Sequence, residues 1–184
     1  MIRRSLLAAA VTAGLIAPAA CADPTHEAEV NALGPEVPGI PPGPTHRAGQ
    51  PCLTCHGGLG PAGATFLTAG TVYVNPYTPG TTAYQPLVGG DVHLVDANRL
   101  TYDALTNEVG NFFVTPSQWN PTFPLGDAPA DGGPLDISVG VASAGLGSAT
   151  PMTTHIMRGG VYASCAYCHF DPPGPTSPGH VYQN

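Results

Sequence analysis

Lysine is absent from this chain of 184 residues, and its five arginines face twelve acids. The resulting net charge of −7 excludes charge-driven binding to nucleic acid or to an acidic membrane surface, and it makes any electrostatic partner a basic one. Long apolar runs are missing too. The apolar stretch Leu6–Ala17 is too short to cross a bilayer. Between residues 64 and 150 there is no helical period, which leaves that region to strands. Nothing resembles a hydrolase triad, a nucleotide loop or a carboxylate pair, so the common acid–base chemistries find no residues here.

What the chain does have is one five-residue pattern twice: Cys52-Leu53-Thr54-Cys55-His56 and Cys165-Ala166-Tyr167-Cys168-His169. Cys-x-x-Cys-His places two thiols where each can add to one vinyl group of a single haem, and the histidine where it can ligate the iron. Cys-x-x-Cys alone could be a redox pair, but that needs a βαβ setting and one copy. It could also be half a zinc site, but zinc knuckles are separated by about 15–20 residues, whereas residues 56–164 lie between these two pairs. With seven histidines in 184 residues, one following both pairs by chance is a rare event. The expectation is two covalently attached haem c groups on Cys52, Cys55, His56 and on Cys165, Cys168, His169. Zinc and a disulfide are the alternatives.

Each iron then needs a sixth ligand. His46 in Thr45-His46-Arg47-Ala48-Gly49 and His155 in Thr154-His155-Ile156-Met157-Arg158-Gly159 precede the two motifs in a weak internal repeat, and both are expected as distal ligands. Met152 and Met157 compete with His155, and methionine ligation raises the potential. His180 could swing onto a haem from the tail. His93 alternates with Val92 and Leu94 and is expected on an outer sheet face, as a weaker candidate. His26 reads as solvated. Arg47 and Arg158 are candidates to pair with haem propionates, and Tyr162 and Tyr167 to pack on the porphyrin.

The N-terminus reads as an export signal over residues 1–20, with Met1-Ile2-Arg3-Arg4 as its positive start and small residues before Cys21. Cys21 has no partner among the other four cysteines and stands where a lipoprotein is acylated, which would anchor the chain to a membrane. Ordinary cleavage without acylation is the alternative. The expected place is the cell envelope of a Gram-negative-type bacterium, periplasmic or on its outer surface. Glycine and proline, 24 and 22 residues, are unevenly spread, and their excess is assigned to tails and turns. The division is a tether over 21–44 with one helical turn around Glu27–Leu33, haem segments over 45–63 and 151–170, a β body over 64–150, and a Pro-rich extended tail over 171–184.

Strands are expected at Gly70–Val74, from Val88 through Leu94, at Leu100–Thr106, at Phe112–Val114 and at Leu135–Val141, with a turn at Asn107–Asn111. Their spacing of roughly ten residues predicts an antiparallel β-sandwich. Gly70-Thr71-Val72-Tyr73, then Gly89-Gly90-Asp91-Val92-His93-Leu94, then Thr106-Asn107-Glu108-Val109-Gly110-Asn111-Phe112 resemble the landmarks of the carboxypeptidase regulatory-like family. The resemblance spans about residues 66–115. It implies an Ig- or transthyretin-like sandwich flanked by the two haem segments, and a module without catalysis of its own.

Taken together, the expected function is electron transfer by an exported dihaem cytochrome c with six-coordinate iron, docking on a basic redox partner. An odd-stranded sandwich would put the haems at opposite poles, where they could meet only between molecules stacked head to tail in a filament. An altered strand count would bring both ends together as a compact pair. The alternatives are a dihaem enzyme such as a peroxidase with one open iron, and a surface-binding module with structural haems.

Overall fold

The protein is described here by a computed structural model covering residues 23–81, 84–125, 138–141, 150–151, 156 and 158–183. The expected signal, Cys21, Met152, His155 and Met157 lie outside these residues. The fold is mainly β, with two small sheets and few helices. β1 (Thr68–Tyr73) lies between β4 (Asn111–Val114), antiparallel, and β7 (Val181–Tyr182), parallel. In the other sheet β2 (Gly90–Val95) lies between β3 (Thr101–Leu105) and β5 (Ser138–Val141), and β6 (Thr150–Pro151) follows β5.

Period-2 alternation explains which side chains enter the core. In β2, Val92 and Leu94 are buried while Asp91 and His93 stay partly exposed. They join Val72 of β1, Ala104 of β3 and Phe112 and Val114 of β4, together with Leu87 and Leu125, so both sheets feed one apolar cluster. Each fully buried aliphatic or aromatic side chain there contributes about 1.5–3 kcal/mol. β1 is buried along Thr68–Val72 because it is covered on both faces. Val72 enters the shared core, while Ala69 packs with Leu53 and Ala163 beside the two cysteine motifs.

Two polar devices fix the connections. The buried Asp96, after β2, accepts from the backbone N–H groups of Asn98 and Leu100 at 2.8 Å and of Thr122 at 2.9 Å. Burial works against its charge, but these three bonds together hold its carboxyl below the usual carboxylate range. In the turn after β3, Asn107 Oδ1 accepts from Val109 and Asn111 N–H, and Gly110 takes the left-handed conformation (φ +78°) that the turn requires.

Three expectations change. The sandwich was expected to be antiparallel throughout, but β7 adds to β1 in parallel. It belongs to the tail, which was expected to be extended and is folded instead. Ser177 Oγ donates to the Phe170 carbonyl and accepts from Phe170 N–H, Asp171 accepts from His180 N–H, and these bonds turn residues 170–180 back onto β1. The tether carries a full helix, α1 (Pro24–Ala32), longer than one turn: Asp23 accepts from Thr25 N–H as its N-cap, and Pro24 occupies a first-turn position where no N–H is needed.

Candidate cofactor-attachment sites

The first motif closes into one helical turn, α2 (Leu53–His56), with Cys52 at its N-cap. Leu53 is completely buried against Ala69 and Ala163, which nails the turn to β1 and leaves Cys55 and His56 facing outward. His56 Nδ1 lies 2.8 Å from the Ala64 carbonyl. A carbonyl only accepts, so Nδ1 carries the hydrogen and Nε2 keeps a free lone pair for a metal. Phe66 stacks on the His56 ring at 4.3 Å, and Phe113 stacks on Phe66. Beside this stack lies an apolar cavity of about 310 Å³, lined by Cys52, Cys55, His56, Phe66, Phe112 and His46.

The His46 and His56 ring centroids are 5.9 Å apart. A metal–nitrogen bond of about 2.0 Å on each side, with roughly 1.1 Å from nitrogen to ring centre, sets two imidazoles on one metal about 6 Å apart. The spacing therefore fits two axial ligands. His46 Nδ1 accepts from Gly43 N–H at 3.3 Å and lies 3.8 Å from Glu36 Oε1. With Nδ1 accepting, the neutral ring carries its hydrogen on Nε2, so ligation through Nε2 requires that bond to break and the hydrogen to move to Nδ1, where Glu36 is the nearest carboxylate.

The second motif forms α3 (Cys165–Cys168), another single turn, entered from the 3-10 turn Gly160–Ala163. His169 Nδ1 lies 3.0 Å from the Gly179 carbonyl, so again Nδ1 holds the hydrogen and Nε2 is bare. Burial pushes the His169 pKa down, with the Gly179 bond opposing it, and so favours the neutral ring that metals bind. Gly70 of β1 lies against Cys165: a Cβ there would stand 2.6 Å from its Sγ. A cavity of about 260 Å³ runs from Cys165 and His169 to His180.

His180, a weaker candidate in the sequence, is therefore in the same cavity as His169. It is buried, its Nδ1 is 2.6 Å from Asp171 Oδ2, and Tyr73 and Tyr84 flank its ring at 4.5 Å. The Asp171 contact is the carboxylate–histidine pairing typical of metal ligands. Its Nε2 lies 2.8 Å from the Asn75 carbonyl and so carries a hydrogen in this arrangement. That bond has to break before Nε2 can ligate.

The two motifs meet in space. α2 and α3 both pack against the 3-10 turn, and α3 also packs on β1. Burial pushes the Cys52 thiol up to about 11. Cys165 retains some accessible surface but is densely enclosed, and this burial, with Cys52 nearby, pushes its thiol up to about 12. No disulfide joins any two of the four motif cysteines. Among the described residues no group of three or more His, Cys, Asp or Glu is gathered to hold a metal ion, so the two thiol pairs do not form one tetrahedral site. An iron porphyrin brings four nitrogens of its own and needs only two axial ligands. The bare Nε2 atoms of His56 and His169 beside paired thiols, with apolar space at the first motif, fit that group.

The remaining candidates are placed as follows. The Arg47 guanidinium borders the first cavity and donates to Gln50 Oε1 at 2.7 Å, the Gly34 carbonyl at 2.9 Å and Glu36 Oε1 at 3.4 Å, which ties the tether to the site. Arg158 lies over the Tyr162 ring at 3.9 Å, and Tyr162 packs on Tyr167. His93 sits on the outer face of β2, 2.5 Å from Asp103, away from both cavities. His26 was expected in solvent; its side chain is 12% exposed and pairs with Glu29 at 3.7 Å. Reading the sequence missed Phe66, Asp171, Ala64 and Gly179. Asp171 two residues after His169 was a visible signal, whereas a backbone carbonyl leaves no trace in residue type. No family model, curated protein or solved structure matches this chain.

Proposed function

We propose that the chain is an exported dihaem cytochrome c that carries electrons, with His56 and His46 as the axial pair of the first iron and His169 as the proximal ligand of the second. When bound, the two haems supply one-electron chemistry. The protein's own residues do the rest. Cys52, Cys55, Cys165 and Cys168 hold the groups by thioether bonds, each formed when a thiol adds across a vinyl group. Carbonyls of Ala64 and Gly179 fix the ring tautomers, and Phe66, Phe112 and Phe113 keep water from the first site. Thiols protonated as firmly as Cys52 and Cys165 are poor nucleophiles. The body between the motifs is a transthyretin-like sandwich, the first anchor is acylated Cys21, and the redox partner is basic.

The observation that carries this reading is the 5.9 Å spacing of His46 and His56 across an apolar cavity that also holds Cys52 and Cys55. The close meeting of the motifs favours a compact dihaem pair over haems at opposite poles, which was the ground for a head-to-tail filament. The test is an absorption spectrum of the purified protein, oxidised and reduced, with and without carbon monoxide. Low-spin bands at the first site that ignore carbon monoxide support the carrier. A second reading, an enzyme with one open iron, is favoured by the engagement of His180 Nε2 with Asn75. It predicts a high-spin half that binds carbon monoxide quickly.

A further inference from the structure

The loop that carries His46 has no strand or helix of its own to hold it. Residues 44–50 are turns, and Gly49 has φ +80°. Arg47 ties the loop to the tether, and three polar side chains of the β body tie it to the sheets. Asn111 Nδ2 donates to the Pro44 carbonyl and to the His46 carbonyl, each at 3.2 Å. Asn107 Nδ2 donates to the Pro44 carbonyl at 2.7 Å. From the other end of the loop, Gly49 N–H donates to Thr71 Oγ1 at 2.8 Å, and that hydroxyl donates to Asn111 Oδ1 at 2.6 Å.

Thr71 and Asn111 are buried, 4% and 6% exposed, and they face each other across the β1–β4 pair in register. A buried amide and hydroxyl are costly unless satisfied, and here every hydrogen bond these two side chains make goes to the His46 loop or to each other. A core that needed only to pack would place apolar residues at these facing positions. The pair also stands between the two cavities: Asn111 lines the first, and Thr71 and Gly49 line the second.

We infer that Asn111, with Thr71 behind it, is a positioning residue for the sixth ligand of the first iron, setting the distance of His46 from His56 through the loop backbone. This rests on the function proposed above. The β body is then no passive spacer: it determines whether the first iron has six ligands, and it couples the wall of one site to the wall of the other.

The experiment uses the full chain matured with its cofactor. Its wild-type mass first establishes two covalent haems; a cofactor-free mature chain defeats the proposed function itself and with it this inference. With two haems present, N111A is compared with wild type by electron paramagnetic resonance, by carbon monoxide binding and by intact mass. The expected result is two retained haems, one extra carbon monoxide bound per chain, and a return to the wild-type low-spin signal on adding free imidazole. H46A gives the same phenotype, and the double variant H46A/N111A is no worse than H46A. Should N111A fail to mature, T71V removes the hydroxyl that joins Gly49 to Asn111, and T71S restores it; T71V loosens the first iron's sixth ligand and T71S keeps the wild-type spectrum. An N111A or T71V protein with two haems and an unchanged low-spin spectrum overturns the inference. So does a double variant markedly worse than H46A, because Asn111 would then act by a route other than His46.

Discussion

The two Cys-x-x-Cys-His sites share a five-residue pattern and a tautomer rule, yet they are built from different materials. The first is apolar: stacked rings of His56, Phe66 and Phe113 border a cavity also lined by a loop that side chains of the β body fasten. The second is polar: His169 and His180 share a cavity with Asp171 and Tyr73, and the carboxylate grips the candidate distal ring directly. On the proposed function, the motif would specify attachment and one axial ligand, and the surrounding fold would decide what kind of iron site results. A carboxylate on the distal imidazole makes it more electron-rich, so the second site is expected to be the harder of the two to reduce.

The strongest way to break the comparison is to delete one site. Replacing Cys52 and Cys55 by Ala is expected to lower the mature mass by one haem and leave the spectrum of the second site, and the reciprocal pair Cys165→Ala, Cys168→Ala does the opposite. Next, Asp96 tests the scaffold that both sites share. Its three backbone bonds make Asp96→Ala cost about 3 kcal/mol, read as a lower Tm with the spectra unchanged. Because its folded carboxyl is held below the ordinary value, its stabilisation is present above about pH 4 and is lost as pH falls through the lower folded value. Asp96→Asn should therefore show a flatter fall in Tm on acidification than wild type.

A smaller effect separates the sites again. Gly70→Ala puts a methyl against Cys165 Sγ and Phe112; overpacking of this kind costs about 1–3 kcal/mol. The second haem should be lost from part of the population while the first stays complete, as counted by mass. Smallest is Asp171→Asn, which keeps shape and removes charge. One midpoint potential in a redox titration should rise and the other stay fixed; two unmoved potentials would show that His180 is not a ligand.

Strands β1 to β4 were legible because alternation at Val92 and Leu94, β-branched runs at Thr71–Val72 and the Asn107–Gly110 turn are local signals that the tertiary fold does not override. The tail was misread for the opposite reason. Pro172, Pro173, Pro175 and Pro178 do favour extended backbone, but the bonds of Ser177 and Asp171 that fold it join residues across a loop. The helix start at Asp23-Pro24 was a readable cap signal that went unused. His46 could be singled out from its place before the first motif. What holds it could not, since Asn111 and Thr71 lie far along the chain and meet only because β1 pairs with β4. The meeting of the two motifs is likewise a product of topology and not of spacing.

The most direct test is the intact mass of the denatured, purified protein. The account predicts the mature chain plus two haems that survive acidic acetone, falling to one when either cysteine pair is removed. A colourless chain at its bare polypeptide mass, with four free thiols, would contradict it.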